Sequence, residues 1–253
     1  MRINGNTIFI PGATSGIGLA LAVRLHEAGN RVIVGGRRVE LLESIAAQHP
    51  GIDTVRIDTA DAASIASASA EVIARHPDLN VLIPMAGIMR AEDWTAPGFV
   101  ETAEVTVTTN LLGPIRLIAA FAAHLLAQPE STIMTVSSGL AFAPLRFTPT
   151  YNATKAAIHQ LSESLRLQYA GTNLSVVELV PPSVQTDLMP GHADDPSAMP
   201  LDEYIDETMA ILTEQPDVTE VQVERVKFLR YGEVRGDQSQ VIAVLNGLAA
   251  PTR

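Results

Sequence analysis

The run TIFIPGATSGIG, from Thr7 to Gly18, decides how the rest of the chain is read. Its first part, Thr7 to Ile10, is an apolar run of strand length. Its second part places Gly12, Gly16 and Gly18 at the opening of a segment of helical period, Gly16 to Ala28. A strand that passes into a helix through glycines brings backbone amides and the positive helix end close to an anion, and a dinucleotide pyrophosphate suits that geometry. The candidate contacts are Gly12, Thr14, Ser15, Gly16, Ile17 and Gly18.

The same alternation continues outward. Strand-like runs fall at Arg31 to Val34, Thr54 to Ile57, Val81 to Pro84, Thr132 to Val136 and Leu174 to Leu179. Helical patterns fall at Val39 to Gln48, Ala62 to Arg75, Phe99 to Leu126 and Tyr151 to Tyr169, and Gly29 and Gly171 stand where left-handed helix stops are expected. Alternating strands and helices imply right-handed crossovers, hence an α/β fold with a doubly wound parallel sheet in three layers. Ligands then sit at the carboxyl ends of the strands. No linker divides the 253 residues, which read as a single domain, 1–253.

Composition narrows the function classes. The formal net charge of -11 excludes a broad basic face for nucleic acid or an anionic membrane. The absence of cysteine excludes disulfides and thiolate chemistry and fits a reducing compartment, so a cytoplasmic location is expected. The six histidines lack metal-ligand spacing and no metal is expected. The apolar stretch from Ile115 to Leu126 is interrupted by Arg116 and His124 and reads as too short to span a bilayer.

A second constellation carries chemistry. Tyr151 and Lys155 in TYNATKAA share one helix face, so the ammonium is expected beneath the phenol, lowering its pKa from near 10 toward neutrality. A serine converging from the preceding loop would hold a substrate oxygen against that phenol. Ser137 and Ser138 compete for this place; adjacent strand residues face opposite sides.

The glycine spacing resembles the TGxxxGxG form of the short-chain dehydrogenase/reductase family. That family carries a Ser, a Tyr thirteen residues on and a Lys four beyond, a spacing matched by Ser138, Tyr151 and Lys155. Its fourth catalytic member is matched by Asn110 in TTNLLG. The resemblance covers residues 5 to about 187 and implies a Rossmann fold, with Asn110 holding a water that passes protons to Lys155 and with Lys155 also contacting the nicotinamide ribose. It further implies cofactor contacts from Asp58 and Thr59, from Ala86 and Gly87, and from Pro181, Val184 and Thr186. Four positions depart from the pattern: Pro11 stands for the usual Thr, Pro84 and Met85 for two Asn, and Pro182 for a Gly.

Cofactor choice is read at the end of the second strand. An acid there would repel a ribose 2′-phosphate; this chain has Gly36, then Arg37 and Arg38, which favours NADP(H) over NAD(H). Leu140, Phe142, Leu145 and Phe147, with Leu188 and Met189 of a lid near 182–215, form a candidate apolar pocket, to which Pro144 and Met199 add. Arg90, Trp94 and Arg146 are candidates to bind a carboxylate at its mouth. The divergent segment 216–253 resembles the tail of the bacterial DltE-like branch of the family. The expected function is hydride transfer between NADP(H) and a small-molecule carbonyl or secondary alcohol, with hydrophobic or aromatic ketones as substrates. The alternatives are a non-catalytic NADP(H) sensor and a same-fold epimerase or dehydratase. By resemblance, a homodimer or homotetramer forms through the long helices.

Overall fold

In the computed structural model, which describes residues 1–248, the strands divide their side chains between two faces. In β1 (Thr7–Pro11), Ile8 and Ile10 point to one core and Phe9 to the other. β2 (Arg31–Gly36) repeats this with Val32 and Val34 against Ile33, and β6 (Leu174–Leu179) with Val177 and Leu179 against Val176. A sheet buried on both faces needs this near-continuous apolar run. With β3 (Ile52–Arg56), β4 (Val81–Leu82), β5 (Ser131–Val136) and β7 (Glu220–Val221), the order is β3-β2-β1-β4-β5-β6-β7, and the paired strands run parallel. β7 is too short to show as a strand in the sequence.

One face is covered by α1 (Gly16–Glu27), α2 (Val39–Gln48) and α7 (Leu201–Glu214). The other is covered by α3 (Ala62–Arg75), α5 (Gly113–Ala127) and α6 (Pro149–Gln168), where Phe121 meets Phe9 with ring centroids 5.5 Å apart. Gly29 and Gly171 take positive φ at their helix stops, as expected.

Two sequence readings need correction. The long helical stretch runs as α4 (Phe99–Val107), a π turn (Thr108–Leu112) and α5, and its 29 residues are long and apolar enough to cross a bilayer. In the fold it is a core element. Leu117, Phe121 and Leu125 pack against the sheet, Arg116 donates to the Ala60 carbonyl at 3.1 Å, and His124 bonds that of Leu79 at 2.9 Å. The lid reading over 182–215 also shortens, because α7 buries Tyr204, Ile205 and Leu212 in the core beside α1. Within 181–200 the chain is anchored by a bridge from Val184 to Met199, and both side chains are buried, so Met199 is core rather than pocket.

The tail follows β7 as α8 (Lys227–Arg230), α9 (Gly232–Arg235) and α10 (Gln238–Leu245). The last part of the 216–253 segment, residues 249–253, lies outside the described residues.

Candidate active site

The chain reverses its strand order between β1 and β4, and the crevice there has glycine-lined walls. Met85 and Ala86 both donate to the Pro11 carbonyl at 3.0 Å, drawing the two loops together. Gly12 has φ +96°, and a Cβ on it would lie 2.3 Å from the Ala86 nitrogen. No other residue fits there without displacing backbone. A Cβ on Gly18 would lie 2.7 Å from Met85 Cγ, so Met85 fills with a flexible chain the place where an amide was expected.

The first turn of α1 lacks both a side-chain cap from Ser15 and an acidic residue. Its leading amides are available to an anion, with Thr14, Ser15 and Ile17 around them. Thr186 stands over this turn: its Cγ2 would lie 3.4 Å from a Cβ on Gly16. At the end of β2 a Cβ on Gly36 would meet Thr14 Cγ2 at 2.3 Å, and Arg38 donates to Thr14 Oγ1 at 2.9 Å. Arg37 and Arg38 are both exposed at the rim of the same crevice. The donor set and the glycine cradle fit a dinucleotide carrying an extra phosphate.

Other sequence-derived cofactor positions divide into two kinds. Asp58 Oδ1 accepts from the Ala60 amide at 3.0 Å, so its carboxylate shapes the turn after β3, and Asp61 caps α3. Thr59 is buried, and its carbonyl would lie 2.8 Å from a Cβ on Gly113, which explains a glycine at that crossing. Pro181 accepts from the Gly139 amide at 2.9 Å and ties the lid's start to the serine loop. Val184 is turned into the core, which leaves its backbone rather than its side chain for any ligand.

Ser138, Tyr151, Lys155 and Asn110 converge at the ends of β4 and β5. Ser137 and Ser138 separate as alternation requires: Ser137 Oγ donates to Glu178, while Ser138 Oγ accepts from Leu140 N at 3.1 Å and faces the Tyr151 hydroxyl. Tyr151 and Lys155 are each 7% exposed, and Lys155 Nζ lies 5.5 Å from the phenol ring centroid. A Cβ on Gly87 would be 3.6 Å from Asn110 Oδ1 and 3.9 Å from Lys155 Nζ, which places Ala86 and Gly87 at the same corner.

The electrostatics differ from the sequence expectation. Burial pushes the Tyr151 phenol up to about 12, with the Ser138 hydroxyl opposing it. Lys155 does not lower it here, because its ammonium donates to the Val136 carbonyl at 2.9 Å. Burial pushes Lys155 itself down to about 8, opposed by the charge of Glu178. The expected water site on Asn110 is also constrained. Its amide accepts from Ile88 N at 2.9 Å, donates to Ile88 O at 2.8 Å and reaches Thr154 Oγ1 at 3.5 Å. Its side chain therefore clamps the loop after β4. Pro114, four residues on, has no N–H to offer the Asn110 backbone carbonyl.

The pocket residues are only partly brought together. Leu140 and Leu145 are half-buried in the serine loop, and Phe147, Leu188 and Met189 stand at the surface or partly covered. Phe142 is not a pocket residue: it packs edge-on against His159 with centroids 4.6 Å apart and lies 4.3 Å from the Arg230 guanidinium. Pro144 is exposed and accepts from Asn246. Of the three candidates for a carboxylate, Arg146 lies over Phe147 at 4.5 Å, Trp94 stacks on Phe99 at 4.5 Å, and Arg90 is exposed.

The sequence reading missed the residues that hold this half of the site. Glu92 accepts from Thr150 N at 2.9 Å and so caps α6 from a distant loop. Asn246 accepts from Arg146 N at 2.7 Å and donates to Pro144 O at 3.0 Å, and Gln238 donates to Phe142 O at 2.5 Å. Leu229 and Val226 cover Gly139. His159, Glu178 and Glu220 lie close together, with Arg230 bonded to both oxygens of Glu220 and Arg166 beside Glu178, an ion-pair network by its charges.

The family described as short chain dehydrogenase matches residues 6–196. The chain belongs to the short-chain dehydrogenase family. It is 42% identical over 191 residues to the uncharacterized oxidoreductase DltE of Bacillus subtilis, covering 74% of this chain and 75% of that one. It is 31% identical over 186 residues to the NADPH-dependent 1-acyldihydroxyacetone phosphate reductase of Schizosaccharomyces pombe, covering 72% of this chain and 60% of that one. Among solved structures, a short chain dehydrogenase from Burkholderia cenocepacia in complex with NADP superposes with a TM-score of 0.81 at 26% identity, covering 97% and 99% of the two chains. An alcohol dehydrogenase from Thermococcus sibiricus, at 24% identity and TM-score 0.76 over 87% of this chain and 96% of that one, shares the fold. The family is one of oxidoreductases that bind a nicotinamide cofactor and act on small molecules.

Proposed function

We propose that this short-chain dehydrogenase is an NADP(H)-dependent carbonyl reductase or alcohol dehydrogenase acting on hydrophobic or aromatic ketones and the matching alcohols. The observation that carries the reading is the convergence of Ser138, Tyr151 and Lys155 beside a crevice wall where only Gly12 fits. NADPH, when bound, supplies the hydride to the carbonyl carbon. Tyr151 gives its proton to the carbonyl oxygen, and a phenol held near 12 is protonated at neutral pH, the form that reduction needs. Ser138 donates to the same oxygen and stabilises its developing charge. Lys155, cationic below about 8, contacts the nicotinamide ribose and, once turned from the Val136 carbonyl toward the ring, stabilises the phenolate left behind. Asn110 sets the loop beside Lys155 through its side chain and holds a water through its carbonyl.

Arg37 and Arg38 support NADP(H), since they follow Gly36, where β2 closes without the acid that would oppose a 2′-phosphate. Leu140, Leu145, Phe147, Leu188 and Met189 support an apolar substrate. The exposed Leu112, Ile115 and Leu126 along the long helix, and Leu167 on α6, support a homodimer or homotetramer. The cysteine-free composition suits the cytoplasm.

The test is oxidation of NADPH and of NADH against a panel of aryl and alkyl ketones. Turnover preferring NADPH is expected. Tight NADPH binding without any turnover would favour a sensor, and a preference for NADH would remove the role given to Arg37 and Arg38.

A further inference from the structure

A single acid interrupts the apolar run of β6. Glu178 is fully buried, where a carboxylate persists only with donors around it. Ser137 Oγ donates to Oε1, His159 Nδ1 lies 3.1 and 3.0 Å from the two oxygens, and Arg166 Nη2 is 3.6 Å from Oε2. Ser137 directly precedes Ser138. Lys155 and His159 are one turn apart on α6, so Tyr151, Lys155, His159 and Glu178 form one stripe running inward from the substrate side.

The groups around this stripe come from three further places. Arg166 continues it on α6 and is also paired with Glu163. Glu220 is the strand partner of Glu178 on β7. Arg230 of the tail neutralises Glu220 through bonds of 2.9 and 3.0 Å and covers Phe142, which packs on His159. Among the described residues, Glu178 is the buried anion that bears on Lys155, and its charge favours the ammonium against burial.

We infer that Glu178 is a positioning residue of the reductase site: its carboxylate anchors Ser137, fixing the strand end that carries Ser138, and its charge keeps Lys155 cationic. The inference rests on the oxidoreductase reading for its purpose and for the kcat that tests the anchor, but not for the titration of Lys155.

The chain has only two lysines, Lys155 and Lys227. The full-length protein labelled with ¹³C at lysine Cε gives a direct titration by NMR, with exposed Lys227 as the internal control. In the wild type Lys155 is expected to titrate near 8 and Lys227 well above it. In Glu178→Gln the Lys155 midpoint moves to lower pH by more than any change at Lys227. A Lys155 midpoint that stays or rises in a folded Glu178→Gln overturns the electrostatic role.

Ser137→Ala tests the anchoring role and keeps the charge of Glu178. It is expected to leave the Lys155 midpoint and NADPH affinity unchanged while lowering kcat several-fold. Wild-type kcat in that variant overturns the anchoring role. Should Glu178→Gln not fold, Glu178→Asp retains the charge and is expected to keep Lys155 near its wild-type midpoint; a midpoint displaced beyond that of Lys227 overturns the inference. The titration needs no substrate, so it decides the electrostatic role of Glu178 even where the ketone assay overturns the reductase reading.

Discussion

The two halves of the candidate site are built from different materials. The cofactor half is backbone: at Gly12, Gly18 and Gly36 loops approach within distances that a Cβ would block, and Gly16 takes a positive φ. The substrate half is side chain and tail. Its serine loop is held by Asn246 and Gln238 from about a hundred positions further along, and α6 is capped by Glu92. Local backbone geometry tolerates almost no substitution, whereas a loop held by several long-range bonds yields in steps. The first half should therefore fail all at once and the second by degrees.

The sharpest way to break this contrast is Gly12→Val. A β-branched side chain meets Ala86 in a left-handed backbone conformation costing about 1–3 kcal/mol, and NADPH binding should be lost altogether in a calorimetric titration. Retained binding would mean that the loops can part. Gly87→Ala is the matched control, since a Cβ there meets only ordinary contacts at 3.6 and 3.9 Å.

Replacing both Arg37 and Arg38 by Ala should be smaller in effect. Loss of charged hydrogen bonds worth about 1.5–3 kcal/mol would weaken NADPH by about 10- to 150-fold and leave NADH nearly unchanged, read as the ratio of kcat/KM values. Next comes pH. Lys155 loses its charge as pH rises through about 8, so ketone reduction should be level below that value and decline above it. A rate that instead rises through pH 8 would contradict the role given to the ammonium.

The mildest change is Asn246→Ala. Removal of two bonds to the serine loop should cost about 1–3 kcal/mol in chemical denaturation, at about 0.5–1.5 kcal/mol each. It should raise KM for the ketone several-fold and leave NADPH affinity intact. An unchanged KM would detach the tail from the pocket.

This contrast also explains what was legible in the sequence. The strands β1 to β6, and α2 and α3 to the residue, follow from local periodicity and glycine stops. Tyr151 and Lys155 share a face by helical spacing, while the choice of Ser138 beside them rests on the spacing of the family that the chain resembles. The role of Phe142 was misread because an aromatic beside the serine looks the same in sequence whether it faces substrate or His159. α7 was taken into the lid because the Pro- and Asp-rich run before it hides the start of the helix, although Tyr204, Ile205 and Leu212 carry a buried face. Glu178 offered a signal that was passed over: an acid inside an apolar strand run is either exposed at an edge or buried for a reason. Asn246 offered none, since its partners are a hundred residues away.

The most direct single measurement is paired on Tyr151→Phe: its NADPH dissociation constant and its ketone turnover, each against the wild type. The division into a backbone cradle and side-chain chemistry predicts an NADPH constant within a factor of about two, since no contact of the cradle is touched, and turnover lower by ~10²- to 10⁴-fold. Turnover close to wild type with NADPH still bound would contradict it, because the proton donor would then lie elsewhere.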